Sequence, residues 1–140
     1  NNTAIEKALQ YDLHACTDIT GFGVLGHLLE VAVGSGVHAI IDYSSLPFYQ
    51  GAEAMYKKGQ TTGSNKANRT LVGRYSLEIR RTLSAAGEEL LYDPQTSGGL
   101  LLSLPAEQAE DLLGDLHLAG VEVAAKIGEI VEGEVGITIR

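Results

Sequence analysis

Two polar, glycine-bearing runs hold most of the residues in this chain that are capable of chemistry. One is Cys16-Thr17-Asp18-Ile19-Thr20-Gly21-Phe22-Gly23-Val24-Leu25-Gly26-His27, and the other is Asp93-Pro94-Gln95-Thr96-Ser97-Gly98-Gly99-Leu100-Leu101. In the second, turn-forming residues feed directly into an apolar stretch that reads as a strand. Its glycines let backbone approach a ligand closely, and Thr96 and Ser97 add hydroxyls, which together describe an anion-accepting loop. In the first, Asp18 stands between Thr17 and Thr20, just ahead of a glycine-rich turn and a helix start. A carboxylate there has two uses. It can bind Mg²⁺ carrying a nucleotide phosphate, or it can cap the turn through neighbouring amides.

Other spacings are weaker. His14, Cys16 and Asp18 alternate, so in a strand they share one face. Three ligands within five residues of one strand seldom converge on an ion, and no C-x-x-C accompanies them, which leaves a structural Cys and an incidental His. No base is identifiable near Cys16 that would make it a nucleophile. Gly21, Gly23 and Gly26 form a G-x-G-x-x-G, with Asp42 at a passable distance for a dinucleotide site. The preceding HACTDIT is polar, however, and close packing of a helix on a strand explains the glycines equally. His27, His38 and His117 share no spacing and read as packing or surface histidines. Neither a P-loop nor a G-x-S-x-G is present.

Residues 60–74 (QTTGSNKANRTLVGR) lack periodicity and are rich in turn formers, so they read as a long loop. Its Asn65, Lys66, Asn68 and Arg69 can close over phosphates with amides and two cations, or the segment is simply solvated.

The elements that must position these residues follow from patterning. Thr3 and Glu6 match a capping box for a first helix ending near Tyr11, and 14–20 reads as an extended entry into a loop. Leu25, Leu28, Leu29 and Ala32 recur at helical spacing, closed by Ser35 and Gly36. Residues 37–42 (VHAIID) read as a buried strand. Pro47 suits the first turn of a helix with Ala52, Met55 and Tyr56 inward and Gly59 as its stop. Residues 76–86 read as a helix ended by Gly87. A strand over 100–104 precedes a helix opened by Pro105, with Ala109, Leu112, Leu113 and Leu116 inward and Gly120 as stop. Residues 122–131 and 135–139 read as two strands joined at Gly133 as a hairpin. The alternation gives an α/β or α+β two-layer sandwich, a mixed sheet with helices mainly on one face.

The 140 residues suffice for one domain with a core, and the absence of a starting Met suggests a piece of a longer protein. A formal charge of −8 argues against a nucleic-acid surface. No apolar run approaches the ~20 residues that cross a bilayer, and the N-terminus has no secretory signal pattern. One cysteine excludes an internal disulfide and points to a reducing, cytoplasmic setting.

Together the two runs resemble the signature segments of selenophosphate synthetase (selenide, water dikinase), and Lys126-Ile127-Gly128-Glu129-Ile130 is similar to that family's pattern as well. The resemblance covers essentially the whole chain. It implies the C-terminal domain, with an aminoimidazole ribonucleotide synthetase-like fold, of a two-domain, homodimeric enzyme. That enzyme makes selenophosphate, AMP and orthophosphate from ATP, selenide and water. The N-terminal domain would carry the reactive Cys or selenocysteine, its partner Lys and most metal ligands, so Cys16 has no such role. Asp18 matches the family's C-terminal Mg²⁺-binding aspartate. Thr17, Thr20, Gly21 and the Gln95, Thr96, Ser97, Gly98, Gly99 loop would line the nucleotide-phosphate cleft. The chain alone is expected to be inactive. Two alternatives remain open: another ATP-dependent kinase or synthetase of the same superfamily, and a stand-alone ligand-binding module.

Overall fold

A computed structural model describes residues 1–140. In chain order the elements are α1 (Asn2–Ala8), β1 (Ala15–Asp18), α2 (Gly23–Ser35), β2 (His38–Ile41), α3 (Ala52–Lys57), α4 (Asn65–Val72), β3 (Ser76–Ile79), α5 (Ala85–Leu90), β4 (Leu100–Ser103), α6 (Ala109–Leu118), β5 (Gly128–Val131) and β6 (Gly136–Ile139). The strands form two sheets. One is an antiparallel pair, β1–β4, and the other is a mixed four-stranded sheet in the order β3-β6-β2-β5. The α/β architecture expected from the sequence is thus present, with its strands divided between two sheets.

The main core lies between α2 and the inner face of the four-stranded sheet. It unites Leu25, Leu28 and Leu29 with Ala39, Ile41, Ile137, Ile139, Val72 and Leu91. Leu25, Ile137, Ile139 and Leu91 are essentially fully buried, so truncating one of them to Ala should cost about 2–5 kcal/mol. A smaller core joins Ala8 of α1 to Leu112 and Leu116 of α6. The β1–β4 pair is the wall between the two. Leu101 packs toward the main core, whereas Leu102 and Leu104 pack toward the smaller one. Side chains alternate across a strand, so an uninterrupted apolar run over 100–102 suits a layer covered on both faces.

Several expectations are corrected. Residues 76–86 are not a helix. Leu77 and Ile79 point inward while Ser76 and Glu78 are exposed, a period of two that makes β3. Ser84 then caps α5, accepting from the Gly87 amide at 2.9 Å. Gly87 lies inside α5 rather than after it, and a Cβ there would meet the Tyr43 hydroxyl at 2.8 Å. Residues 65–72 of the expected loop are helical, and their buried face carries Asn65 and Asn68 alongside Val72, so apolar periodicity is missing.

The last two strands are not a hairpin. β2 lies between them, pairing antiparallel with β5 and parallel with β6. Only Gly128–Val131 of 122–131 is strand. The helix assigned to Pro47 starts at Ala52, after Gly51 at φ +86°, and its Met55 is exposed. The first helix starts at Asn2 without a side-chain cap, so Thr3 and Glu6 form no capping box. No helix is long and apolar enough to cross a membrane.

Candidate functional site

The two chemical runs are joined by main chain. β1 pairs with β4 in the register Thr17–Leu101 and Asp18–Leu100. The ladder continues past both strands, with Ile19 N donating to Gly99 O at 2.9 Å and Gln95 N donating to Thr20 O at 2.9 Å. A Cβ at Gly98 would stand 2.1 Å from Ile19 O and 2.6 Å from Gln95 Oε1. Only glycine allows the 95–99 loop to lie this close to the end of β1. Asn1 Nδ2 donates to Gly98 O at 3.2 Å, tying the chain start to the same loop.

Within this junction the functional groups face outward. Asp18 is exposed, and its carboxylate takes part in no hydrogen bond or ion pair within the chain. The turn-capping reading of Asp18 therefore fails. Thr17 turns its hydroxyl onto Asp18 O at 3.2 Å. Thr96, Ser97 and Gly99 are exposed, as is Gly21, whereas Gln95, Gly98 and Thr20 are half-buried. His14, Cys16 and Asp18 share one exposed face as their alternation predicts, but no group of three or more metal-ligating side chains forms anywhere in the chain.

That donor set bears on a cation. Mg²⁺ is a hard ion held by one or two carboxylates together with substrate phosphates and water. A single exposed, unengaged carboxylate beside a glycine-rich loop fits that chemistry. It does not fit a site built from this chain alone.

Gly23 and Gly26 of the first run serve packing, whereas a Cβ at Gly21 would meet nothing. Gly23 has φ +71°, and a Cβ on it would meet the Tyr92 carbonyl carbon at 2.9 Å. A Cβ at Gly26 would lie 2.5 Å from Phe22 Cβ. β1 belongs to an antiparallel pair and β2 to the other sheet, so no βαβ unit surrounds the G-x-G-x-x-G and the dinucleotide reading falls.

The segment expected to close over phosphates is fastened beneath the junction instead. Asn68, 4% exposed, donates from Nδ2 to both Gly21 O and Tyr92 O at 2.9 Å. It thereby clamps the first run to the residue just before the second. Asn65, 3% exposed, donates to the Tyr56 hydroxyl at 3.1 Å and to Glu89 Oε2 at 3.0 Å, and accepts from Thr62 Oγ1 at 2.6 Å. The Tyr56 hydroxyl donates to the carboxylate of Asp93, the first residue of the second run. Burial, reinforced by that carboxylate, pushes the Tyr56 phenol up to about 12.

Arg69 bonds Glu88 and, at 2.7 Å, Glu89, with its guanidinium 4.4 Å from the Tyr92 ring centroid. Burial pulls Arg69 down, but the two carboxylates outweigh it and leave the guanidinium raised. Of the four residues, only Lys66 is exposed without an ion pair. The reading of this segment as simply solvated is therefore corrected. Asn65, Asn68 and Arg69 are engaged inside the fold and hold the runs in place.

Sequence reasoning missed His27. It is buried on α2 and hydrogen-bonded to Thr20 of the first run and to Glu30 one turn along its own helix. A His with Glu at i+3 is a readable pair on a helix; the reach back to Thr20 needs the fold.

Comparisons with known proteins agree on the family. The family described as AIR synthase related protein, C-terminal domain, matches residues 2–140. The selenide, water dikinase of Burkholderia pseudomallei (strain K96243) is 42% identical over 127 residues, 91% of this chain and 36% of that protein. That of Clostridioides difficile (strain 630) is 40% identical over 140 residues, 99% of this chain and 40% of that protein. The chain thus spans well under half the length of these relatives.

Among solved structures, Escherichia coli HypE, a hydrogenase maturation protein, superposes with a TM-score of 0.66 at 22% identity, covering 97% of this chain and 34% of HypE. HypE in complex with ATP gives 0.65 at 22% identity, covering 99% and 36%. At that identity the likeness is one of fold. With a match over all but the first residue, the chain belongs to the AIR synthase related protein family as its C-terminal domain.

Proposed function

We propose that this chain is the C-terminal domain of a selenide, water dikinase, which converts ATP, selenide and water into selenophosphate, AMP and orthophosphate in the cytoplasm. The observation that carries the reading is the junction itself. The two runs that resemble dikinase signature segments are laced together by main-chain bonds, and a lone unengaged carboxylate, Asp18, lies at their edge.

Phosphoryl transfer asks little covalent work of a protein and much positioning of charge. Asp18 would hold Mg²⁺, which supplies charge neutralisation on the nucleotide phosphates when bound. The exposed Thr96 and Ser97 hydroxyls and the backbone around Gly21 and Gly99 offer hydrogen bonds to phosphate oxygens. Lys66 adds a free cation on the neighbouring helix. Asn68 and the Tyr56–Asp93 contact keep the two runs in register while phosphate charge moves.

One carboxylate, an exposed Cys16 with no base beside it and Lys66 on the neighbouring helix are too few groups for two phosphoryl transfers. The remaining groups belong to an N-terminal domain, for which the relatives' length leaves room. The enzyme works as a homodimer, and this chain alone is inactive. The test is selenide-dependent release of AMP and orthophosphate from ATP by the full polypeptide, beside the 140-residue chain alone. Activity in the full polypeptide and none in the isolated chain is expected. AMP formation without selenide, or full turnover by the isolated chain, would overturn the reading.

A further inference from the structure

Thr20 lies within the first run, between β1 and α2, and its hydroxyl is not free. His27 Nε2 lies 3.1 Å from Thr20 Oγ1, and His27 Nδ1 lies 2.9 Å from Glu30 Oε2. The imidazole is 8% exposed and the Glu30 side chain 54%. The line therefore runs from the candidate cleft through a buried ring to solvent. The Phe22 ring packs on the imidazole with centroids 5.4 Å apart, and Gly26 makes room for it. Thr20 lies two residues ahead of Phe22, the N-cap of α2, and that helix has no side-chain cap bond. The Thr20 hydroxyl goes to the ring.

With Glu30 ionised and the ring neutral, donor and acceptor chemistry fixes the direction of each bond; a ring protonated on both nitrogens would instead donate to Thr20. An ionised carboxylate only accepts, so Glu30 requires hydrogen on Nδ1. The neutral ring then carries a lone pair on Nε2, and Thr20 must donate to it. With its one hydrogen spent on the ring, Thr20 shows only lone pairs to anything beside it. A threonine without this partner would rotate its hydrogen to suit a phosphate oxygen.

We propose that His27, set by Glu30, is a positioning residue that makes the Thr20 hydroxyl a hydrogen-bond acceptor at the cleft, taking a hydrogen bond from water bound beside the nucleotide phosphates. The occupant rests on the dikinase reading. The ring tautomer and hydroxyl direction do not.

Two measurements test it. Two-bond ¹H–¹⁵N spectra of the histidine-labelled chain should show His27 with hydrogen on Nδ1 and a bare Nε2. Thr20→Val, which keeps the shape, should move the Nε2 resonance and leave Nδ1 protonated, and Glu30→Ala should let hydrogen return to Nε2. An Nε2–H ring in the unaltered chain, or an Nε2 signal indifferent to Thr20→Val, overturns the proposal. In the full polypeptide, Thr20→Val and His27→Gln should lower kcat about tenfold while the KM for ATP stays within about twofold, with Thr20→Ser restoring most of the loss. Unchanged kcat in a Thr20→Val protein with an unaltered melting temperature also overturns it. An unaltered polypeptide that makes no AMP from ATP and selenide defeats the dikinase reading instead, and the spectra still decide the tautomer.

Discussion

The two halves of the polar machinery use similar residues in opposite ways. At the β1–β4 junction, Asp18, Thr96 and Ser97 are exposed, and the backbone carries the structure through Ile19–Gly99 and Thr20–Gln95 bonds. In the α3–α4–α5 region, Asn65 and Asn68 are almost wholly buried, and their side chains carry the structure by bonding carbonyls, a phenol and a carboxylate. A polar residue released by the backbone is available to a ligand. One that replaces missing backbone bonds is not. The junction can therefore lose a side chain at little cost in stability, whereas the clamp region cannot.

Of the two regions, the clamp should show the larger stability effect. Asn68→Leu keeps roughly the volume but removes both N–H donors, leaving Tyr92 O without its partner in a buried setting and Gly21 O without its partner in a partly exposed one. The expected loss is about 1–3 kcal/mol, the cost of one unsatisfied buried group. Urea unfolding of the chain measures it, and a loss below about 1 kcal/mol would mean that the runs need no clamp.

Asp18→Asn is the complementary break. With no partner inside the chain, Asp18 should change stability by less than about 0.5 kcal/mol. In the full polypeptide the same substitution should lower selenide-dependent turnover about a hundredfold, equivalent to about 2.7 kcal/mol of transition-state stabilisation. Normal turnover at ordinary Mg²⁺, or a stability loss like that of Asn68→Leu, would erase the distinction between the two regions.

The same contrast explains what the sequence disclosed. The junction was legible because its constraints are written in unusual residue types. Gly98 is dictated by the Ile19 carbonyl, and the apolar run after Gly99 by a wall with cores on both sides. α4 was illegible because its buried face carries asparagines, so helical periodicity in apolar residues never appears over 65–72. β3 was mistaken for helix because four strand residues run straight into Arg80, Arg81 and the α5 cap, which blurs a period of two. The order β3-β6-β2-β5 was beyond local reading. Adjacent strands joined by a short turn look like a hairpin, and only the core decides that β2 lies between them. His27 was passed over for the same reason, since its partner Thr20 lies outside its own helix.

The smallest expected effect concerns the contact that crosses from one region to the other. Tyr56 of α3 donates to Asp93 at the head of the second run, and its phenol is raised from 10.0 to about 12 by burial and then by Asp93. The folded chain thus holds this proton more tightly than the unfolded chain does. The stability linked to it is fully present below the unfolded value near 10 and is lost as pH rises toward 12. Tyr56→Phe removes the hydroxyl, so it should cost about 1 kcal/mol at pH 8, and the difference from the unaltered chain should shrink steadily between pH 10 and 12. Tyr11, Tyr43 and Tyr92 are raised as well, so both proteins will weaken in alkali and only the difference between them reports on Tyr56. A gap that stays constant to pH 12 would place the Tyr56 hydroxyl outside the link between the regions. Asn68 would then be left to hold the clamp, to Gly21 of the first run and to Tyr92 just ahead of the second.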